Sequence, residues 1–441
     1  MNNMISYEIL LKLFIISVFT PLFYFPYIIA ILLCGYIVLK LIIIGKLSLC
    51  KESKNLLLLG LVFIIGAVIS WAYNYNIGNV DFWSIFLWLI TYSFPLWVIF
   101  FISLRNTSLD FEKMFHFYKK ILVLEFCIGI VQALLFKDFA GDHVKGTCMD
   151  SHTLGLQYAI ALIILFIRIL YLRKRNDAFY FFIFLIGMIM MGYTSNMVFL
   201  ILVLLLIFFD KTEFFTKISI KTASLSFILL LSALFFFAIT KRHGLDYALY
   251  GINSLKTNLE NIERTPLLGK IYSYKLAFKE IPKEINIIFG LGPASYTSRA
   301  AQIRNPDVAT RKLFIDIPSY KNKIFEKYII EHFYKSDYGL KTLSWGTLAS
   351  PMTSIISTWV ELGIIGMFLF MFFLWWLFKV INRKIKLSII VKDTEFFLRL
   401  KSVKFILVFF ILNLFYLNYW EYPQMTIPVF VFYFLGIKHV E

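Results

Sequence analysis

Residues 352–378 read MTSIISTWVELGIIGMFLFMFFLWWLF and contain one ionisable side chain, Glu361. A helix that crosses a bilayer needs about 20 consecutive apolar residues, and this stretch meets that requirement without its neighbours. The same pattern recurs toward the N-terminus near 8–25, 27–45, 56–72, 82–104, 119–136, 153–172, 178–192, 195–209 and 222–240, and toward the C-terminus near 403–420 and 427–438. Over 441 residues the apolar share is 60% and the charged share 16%, against about 45 to 50% apolar in an ordinary soluble domain. Soluble, disordered and disulfide-scaffold classes are excluded. The expected fold is an all-α polytopic membrane protein with twelve transmembrane helices, divided as 1–240, a large loop 241–351, and 352–441.

Lysine and arginine counts orient the spans, because cytoplasmic loops carry the excess of both. Loops after the second, fourth, sixth, eighth and tenth spans hold the basic residues, among them Lys46, Lys51, Arg105, Arg173, Lys174, Lys217 and eight from Lys379 to Lys404. The alternate loops 73–80, 193–194 and 421–426 hold none, and 137–152 holds only Lys137 and Lys145. Both termini are therefore predicted to be cytoplasmic in a bacterial inner membrane, with the first helix retained as an anchor. Much of the net charge of +17 lies in the cytoplasmic loops, where anionic headgroups and topology account for it. No nucleic-acid partner is expected. The cysteines Cys34, Cys50, Cys127 and Cys148 are scattered without metal-ligand spacing, so neither a disulfide framework nor a metal site is expected.

The loop 241–351 carries 17 Lys/Arg against 10 Asp/Glu on the predicted outer face. A loop this long escapes the positive-inside rule, so its sign asks for another cause. Ile271, Tyr274, Phe278, Ile281, Ile285 and Ile288 recur at helical spacing, with Lys275, Lys279 and Lys283 on another face. That pattern predicts an amphipathic helix over the membrane surface, shortened or kinked by Pro282. A second helix is predicted over SYKNKIFEKYIIEHFY, 319–334, and a turn at Gly290, Gly292 and Pro293.

Within the spans, Lys40, Glu125 and Arg168 lie close to the predicted cytoplasmic helix ends, where long side chains reach water. A charge-poor core argues against a proton-coupled transporter and moves attention outward. There the polar groups gather in KDFAGDHVKGTCMDSH (137–152), GYTSN (192–196), the large loop and NYWEYPQ (418–424). Cations facing the bilayer surface suit either a diphosphate on a lipid carrier or ordinary phospholipid headgroups.

The order of these features resembles the O-antigen polymerase and O-antigen ligase superfamily. GLGPASY in the long loop, then SPMTSIISTWVELGIIG entering the next helix, GTCMDSHTLG at 146–155 and YTSNMVFLILVLL at 193–205 carry the likeness. It covers the chain in topology and about fifty residues in motif. The resemblance implies an inverting glycosyltransferase that needs no metal or other cofactor. Its donor and acceptor would be undecaprenyl-diphosphate-linked glycans on the periplasmic face, with a chain-length regulator as a further partner.

By the same resemblance, Lys145 and Lys270 stand where the family has arginines that hold the diphosphate. Lysine keeps the charge and loses the bidentate fork, which Arg264, Arg299, Arg304 or Arg311 can supply. Asn196 stands where another family arginine is found. Ligases carry a His-Asn pair upstream of the Glu of E-x-G-x-x-G, whereas Met352 and Thr353 precede Glu361 here. A polymerase is therefore favoured over a ligase that transfers glycan to lipid A core. A flippase, with short loops and buried charge, and a non-catalytic scaffold are the other classes.

Two residues are catalytic candidates: His332 as a base for the acceptor hydroxyl, against packing on aromatic neighbours, and Glu361, against a buried bond clamping the loop. Asp142, His143, Asp150 and His152 are rival bases. Gly363 and Gly366 are expected to let a helix approach closely, and Glu421 is expected at the interface in an aromatic belt beside Trp420 and Tyr422.

Overall fold

A computed structural model describes residues 7–22, 25–44, 51–102, 110–137, 143–172, 175–192, 194–210, 269–305, 318–320, 322–335 and 352–438. The predicted span 222–240 and Arg264 lie outside them. The helices in chain order are α1 (Tyr7–Ser17), α2 (Phe25–Ile44), α3 (Lys51–Asn76), α4 (Phe82–Thr91), α5 (Phe94–Ile102), α6 (Phe111–Phe136), α7 (Ser151–Leu172), α8 (Arg175–Met190) and α9 (Thr194–Phe209). They continue with α10 (Gly269–Lys275), α11 (Arg299–Arg304), α12 (Lys323–Phe325), α13 (Ser354–Val391), α14 (Thr394–Leu414) and α15 (Pro423–Ile437). No strand occurs among the described residues.

Three of these pass, by length and composition, as membrane-crossing helices: Lys54–Asn76, Ser151–Leu172 and Ser354–Val391. A fourth is gained if α4 and α5, bent by 47° at their junction, form one broken span. The bend has a local cause. Pro95 has no amide hydrogen to continue the ladder, and the Ser93 hydroxyl bonds back to the Leu89 carbonyl. The first predicted span is likewise shortened, since α1 ends at Ser17, whose hydroxyl donates to the Phe14 carbonyl at 2.7 Å, four residues before Pro21.

Burial places α7 at the centre: 94% of its most apolar window is buried, against 28% for α3 and 39% for α13. A helix apolar all round is a core helix, and Leu154 to Ile167 fill that role. The peripheral helices turn large apolar side chains outward, including Leu58, Ile65, Phe368 and Trp375. An outward apolar surface on helices of this length fits a lipid environment.

The buried charges depart from expectation. Glu125 does not reach the helix end. It is buried in α6 and takes the Thr147 amide at 2.7 Å and the Thr147 hydroxyl at 2.5 Å. It therefore pins the 143–150 loop into the bundle. Arg168 is not in water either: its Nε donates to Asp177 Oδ2 at 2.9 Å and its Nη1 to Glu112. The Lys40 side chain lies outside the described residues.

The described parts of the large loop form a second apolar cluster against the start of α13. Tyr272, Leu276, Ile281, Tyr296, Phe325 and Ile329 pack there with Ile356 and Val360. After α10 the chain widens into a π-helix, Leu276–Glu280, and closes with a short 3-10 turn, Ile281–Lys283, which carries Pro282. Ile271, Phe278, Ile287 and Ile288 remain on the outside.

The turn at 287–292 is the junction between loop and bundle. Gly363 interrupts α13 with φ 64° and ψ −160°, a conformation open to glycine because it lacks Cβ. The backbone groups freed by that break pair with the loop: the Leu291 amide donates to the Val360 carbonyl at 2.9 Å and the Gly292 amide to the Glu361 carbonyl at 2.8 Å, while the Ile364 amide donates to the Ile287 carbonyl at 2.9 Å. Gly363 thus receives loop backbone, not the neighbouring helix its spacing suggested. A Cβ at Gly363 would stand 2.4 Å from the Ile288 carbonyl oxygen, and one at Gly290 would stand 2.6 Å from the Glu361 carbonyl. Gly363→Ala combines a positive φ with a backbone collision, and is expected to lower stability by about 3 kcal/mol or more. The check is the rate of thermal inactivation in detergent beside Gly35→Ala, a position with open space within 4 Å; equal rates would refute the junction's role.

Candidate functional site

The loop Gly292 to Arg299 is held over the bundle by two buried carboxylates from different helices. Glu361 accepts the amides of Ala294 at 2.8 Å, Tyr296 at 3.0 Å and Ser298 at 3.0 Å. Glu421 accepts the Arg299 amide at 2.7 Å. Neither residue reaches the surface. Burial, and then the nearby charge of Glu361, push the Glu421 carboxyl well above the ordinary carboxylate range. The expectation of an interfacial Glu421 is corrected. Its neighbour Trp420 is equally buried, packed edge-on to Phe370 and Phe373, with its ring nitrogen bonded to the Tyr92 carbonyl at 2.8 Å. An aromatic at a loop corner can serve the core as readily as an interface.

This clamp sets the start of α11, where Ser298 is the N-cap, and with it the direction of Arg299. The Arg299 guanidinium lies 5.1 Å over the Tyr422 ring and donates to the Tyr422 hydroxyl at 3.2 Å. It borders a cleft of about 170 Å³ whose other walls include Asp150, His152, Met352, Asn418 and Tyr422. Asp150 caps α7 by accepting the Thr153 amide at 2.7 Å, which fixes its carboxylate at the cleft. Residues from four regions far apart in sequence thus meet: 150–153, 299–302, Met352 and 417–422.

The predicted diphosphate ligands separate. Arg299 lines the cleft. Lys270 lies beneath it, buried, with Nζ donating to the Met352 carbonyl at 3.2 Å and 5.1 Å from the Tyr416 ring centre. Burial alone holds the Lys270 ammonium well below its ordinary pKa. Lys145 is exposed on its loop, its amide bonded to Gln132 and its Nζ 3.5 Å from the Met149 carbonyl. It is not among the cleft residues.

Arg304, at the other end of α11, is buried in a forked pair with Asp81 and donates to Ser84 Oγ at 2.7 Å and the Pro318 carbonyl at 3.1 Å. Its guanidinium also stacks 5.1 Å from the Tyr320 ring centre. That arrangement ties the large loop to the start of α4 and leaves the fork with a carboxylate in place of phosphate.

The two catalytic candidates do not line the cleft. His332 sits in the π-helix Glu326–Lys335, its ring edge-on to Tyr272 at 5.6 Å, as packing on an aromatic neighbour requires. Glu361 has both carboxylate oxygens engaged by loop amides, which assigns it the clamp. Of the rival bases, Asp150 and His152 are at the cleft, His143 stacks on Phe136, and Asp142 lies outside the described residues. Asn196 is buried, and its side-chain amide has no partner among the described residues. Sequence reading missed Asp81 and misplaced Glu421, because each matters only through a partner more than a hundred residues away.

A depressed Lys270 gives a pH signature with a fixed sign. In the window between its folded value and about 10.4, the unfolded chain binds the extra proton, so stability rises with pH across that window. Lys270→Met is expected to flatten this alkaline rise, measured as inactivation half-life against pH; an unchanged slope would contradict the buried placement.

Comparison of the sequence with protein-family models and with curated proteins finds no match.

Proposed function

We propose that this chain is a polysaccharide polymerase of the O-antigen type, joining undecaprenyl-diphosphate-linked oligosaccharide units at the periplasmic face of an inner membrane with both termini cytoplasmic and twelve spans. The observation that carries this reading is the cleft: an arginine aligned by a carboxylate-clamped helix start, opposite an aspartate and a histidine, at one end of an apolar helical bundle. Arg299 supplies the fork that holds the diphosphate as the glycosidic bond breaks, and its charge stabilises the leaving group most where negative charge develops. The bond from the sugar's anomeric carbon to the diphosphate oxygen breaks, and the bond to the acceptor hydroxyl oxygen forms from the opposite face. The acceptor proton passes to Asp150 or His152.

Lys270 enters once an anion is present. A neighbouring diphosphate favours the ammonium form, so substrate binding opposes the downward shift that burial imposes. The segment where a ligase carries its His-Asn pair also favours polymerase. Thr353 is the N-cap of α13, taking the Ile356 amide at 3.0 Å, and the Met352 carbonyl is bonded to Lys270.

The test uses purified protein in detergent with a synthetic undecaprenyl-diphosphate tetrasaccharide and no nucleotide sugar. A ladder of products in whole repeat units is expected, and it should persist with a chelator present. Absence of any extension, with the folded state verified by circular dichroism, would reject the activity. Transfer of the glycan to added lipid A core without a ladder would instead assign a ligase.

A further inference from the structure

A second cleft lies at the opposite end of α7. Arg168 follows Thr153 by 15 residues, a rise of about 22 Å along the helix. There an opening of about 200 Å³ is bounded by Glu112 of α6, Ile164 and Arg168 of α7, and Glu395, Leu398 and Arg399 of α14. The two arginine side chains are 11% and 10% exposed. Arg168 uses Nε and Nη1 on Asp177 and Glu112, and Arg399 uses Nη1 on Asp110 Oδ1 at 3.3 Å and Nε on the Glu395 carbonyl at 3.4 Å. Among the described residues, the Nη2 group of each has no partner.

The composition of the walls selects a ligand. A simple anion would meet Glu112 and Glu395 as well as the arginines, and a simple cation would meet Arg168 and Arg399. A zwitterion with its two charges a few ångströms apart satisfies both. Guanidinium forks suit phosphate oxygens, while carboxylates reward an ammonium that still has hydrogens to donate. A quaternary ammonium lacks those hydrogens and is better served by a cage of aromatic rings. The apolar wall of Ile164, Leu172 and Leu398 provides the path for an acyl chain.

We propose that this cleft seats the headgroup of a phosphoethanolamine phospholipid, with phosphate between the Nη2 groups of Arg168 and Arg399 and ammonium toward Glu112 and Glu395. The site is independent of the glycan chemistry at the other end of the bundle, and its failure would leave the polymerase reading untouched.

The experiment is native mass spectrometry of the full chain, delipidated in detergent and offered equal amounts of phosphatidylethanolamine, phosphatidylcholine and phosphatidylglycerol. Phosphatidylethanolamine should be retained on the order of tenfold over each of the others, the ratio that about 1.4 kcal/mol of one charge-assisted contact confers. Glu395→Gln should erase the preference over phosphatidylglycerol, and Arg399→Gln should lower retention of all three. Lys379→Gln, whose ammonium lies over Trp375 and Trp376, should change nothing. Equal retention of the three lipids by the unmodified protein overturns the proposal, and that measurement stands even where a variant does not fold. Lysophosphatidylethanolamine should displace the bound lipid while free O-phosphoethanolamine should not. Equal displacement by both overturns the lipid assignment in favour of a soluble phosphoamine.

Discussion

Glu361→Ala is expected to inactivate the protein by releasing the loop, not by removing a reacting group. The substitution deletes the acceptor for three amides, those of Ala294, Tyr296 and Ser298, in a place where Glu361 is 1% exposed. Leaving a buried donor without a partner costs about 1 to 3 kcal/mol, so the three together put the loss at about 3 to 6 kcal/mol after partial relaxation. The quantity to measure is the half-life of the folded form at a fixed temperature, which needs no reversible unfolding. Glu361→Gln keeps one carbonyl acceptor and should lose roughly half as much. The decisive comparison is the isosteric variant's turnover. If Glu361 were the general base, Glu361→Gln would abolish turnover while leaving the half-life near normal. The clamp predicts the reverse order, a shortened half-life with residual turnover in the surviving fraction.

Arg299→Ala should do the opposite. Its guanidinium lies over the Tyr422 ring, and its backbone amide, the group Glu421 takes, survives the substitution. The fold should therefore persist, while transfer falls on the order of 10² to 10³, the loss typical of removing one donor aimed at developing charge. Arg299→Lys should recover part of this, because charge returns without the fork. Arg304→Ala gives the contrast. Removing the buried guanidinium leaves the Asp81 carboxylate, itself 36% exposed, without its ion pair, at a cost below the ~3 to 5 kcal/mol of a fully buried pair, so the half-life of the folded form should shorten while turnover per folded molecule is retained. Equal transfer by the Arg299→Ala variant and the unmodified protein would remove the cleft from consideration as the site.

These two residues also mark the limit of sequence reading. Both sit in one short run, RAAQIR, and both are arginines in a basic loop. Nothing in their spacing separates them. The distinction arises because Asp81, more than two hundred residues earlier, meets one of them, and Tyr422, more than a hundred residues later, meets the other. Lys145 and Lys270 divide the same way: one is exposed on a loop, the other is buried beneath the cleft. His332 offered the residue type a base needs, but its place against Tyr272 depends on how α10 and the π-helix pack.

What the order of residues settled alone was the all-helical class, the apolar character suited to a membrane, and the location of most helices, because those follow from local composition and period. The turn at Gly290 and Gly292 was visible for the same reason. What only the tertiary structure decided was the bend between α4 and α5, the crossing of loop backbone through the gap at Gly363, and the roles of Glu125, Glu361 and Glu421 as buried acceptors. A carboxylate reads identically in sequence whether it faces water, substrate or an amide. The free energy that selects among them comes from partners brought together only when distant segments exclude water.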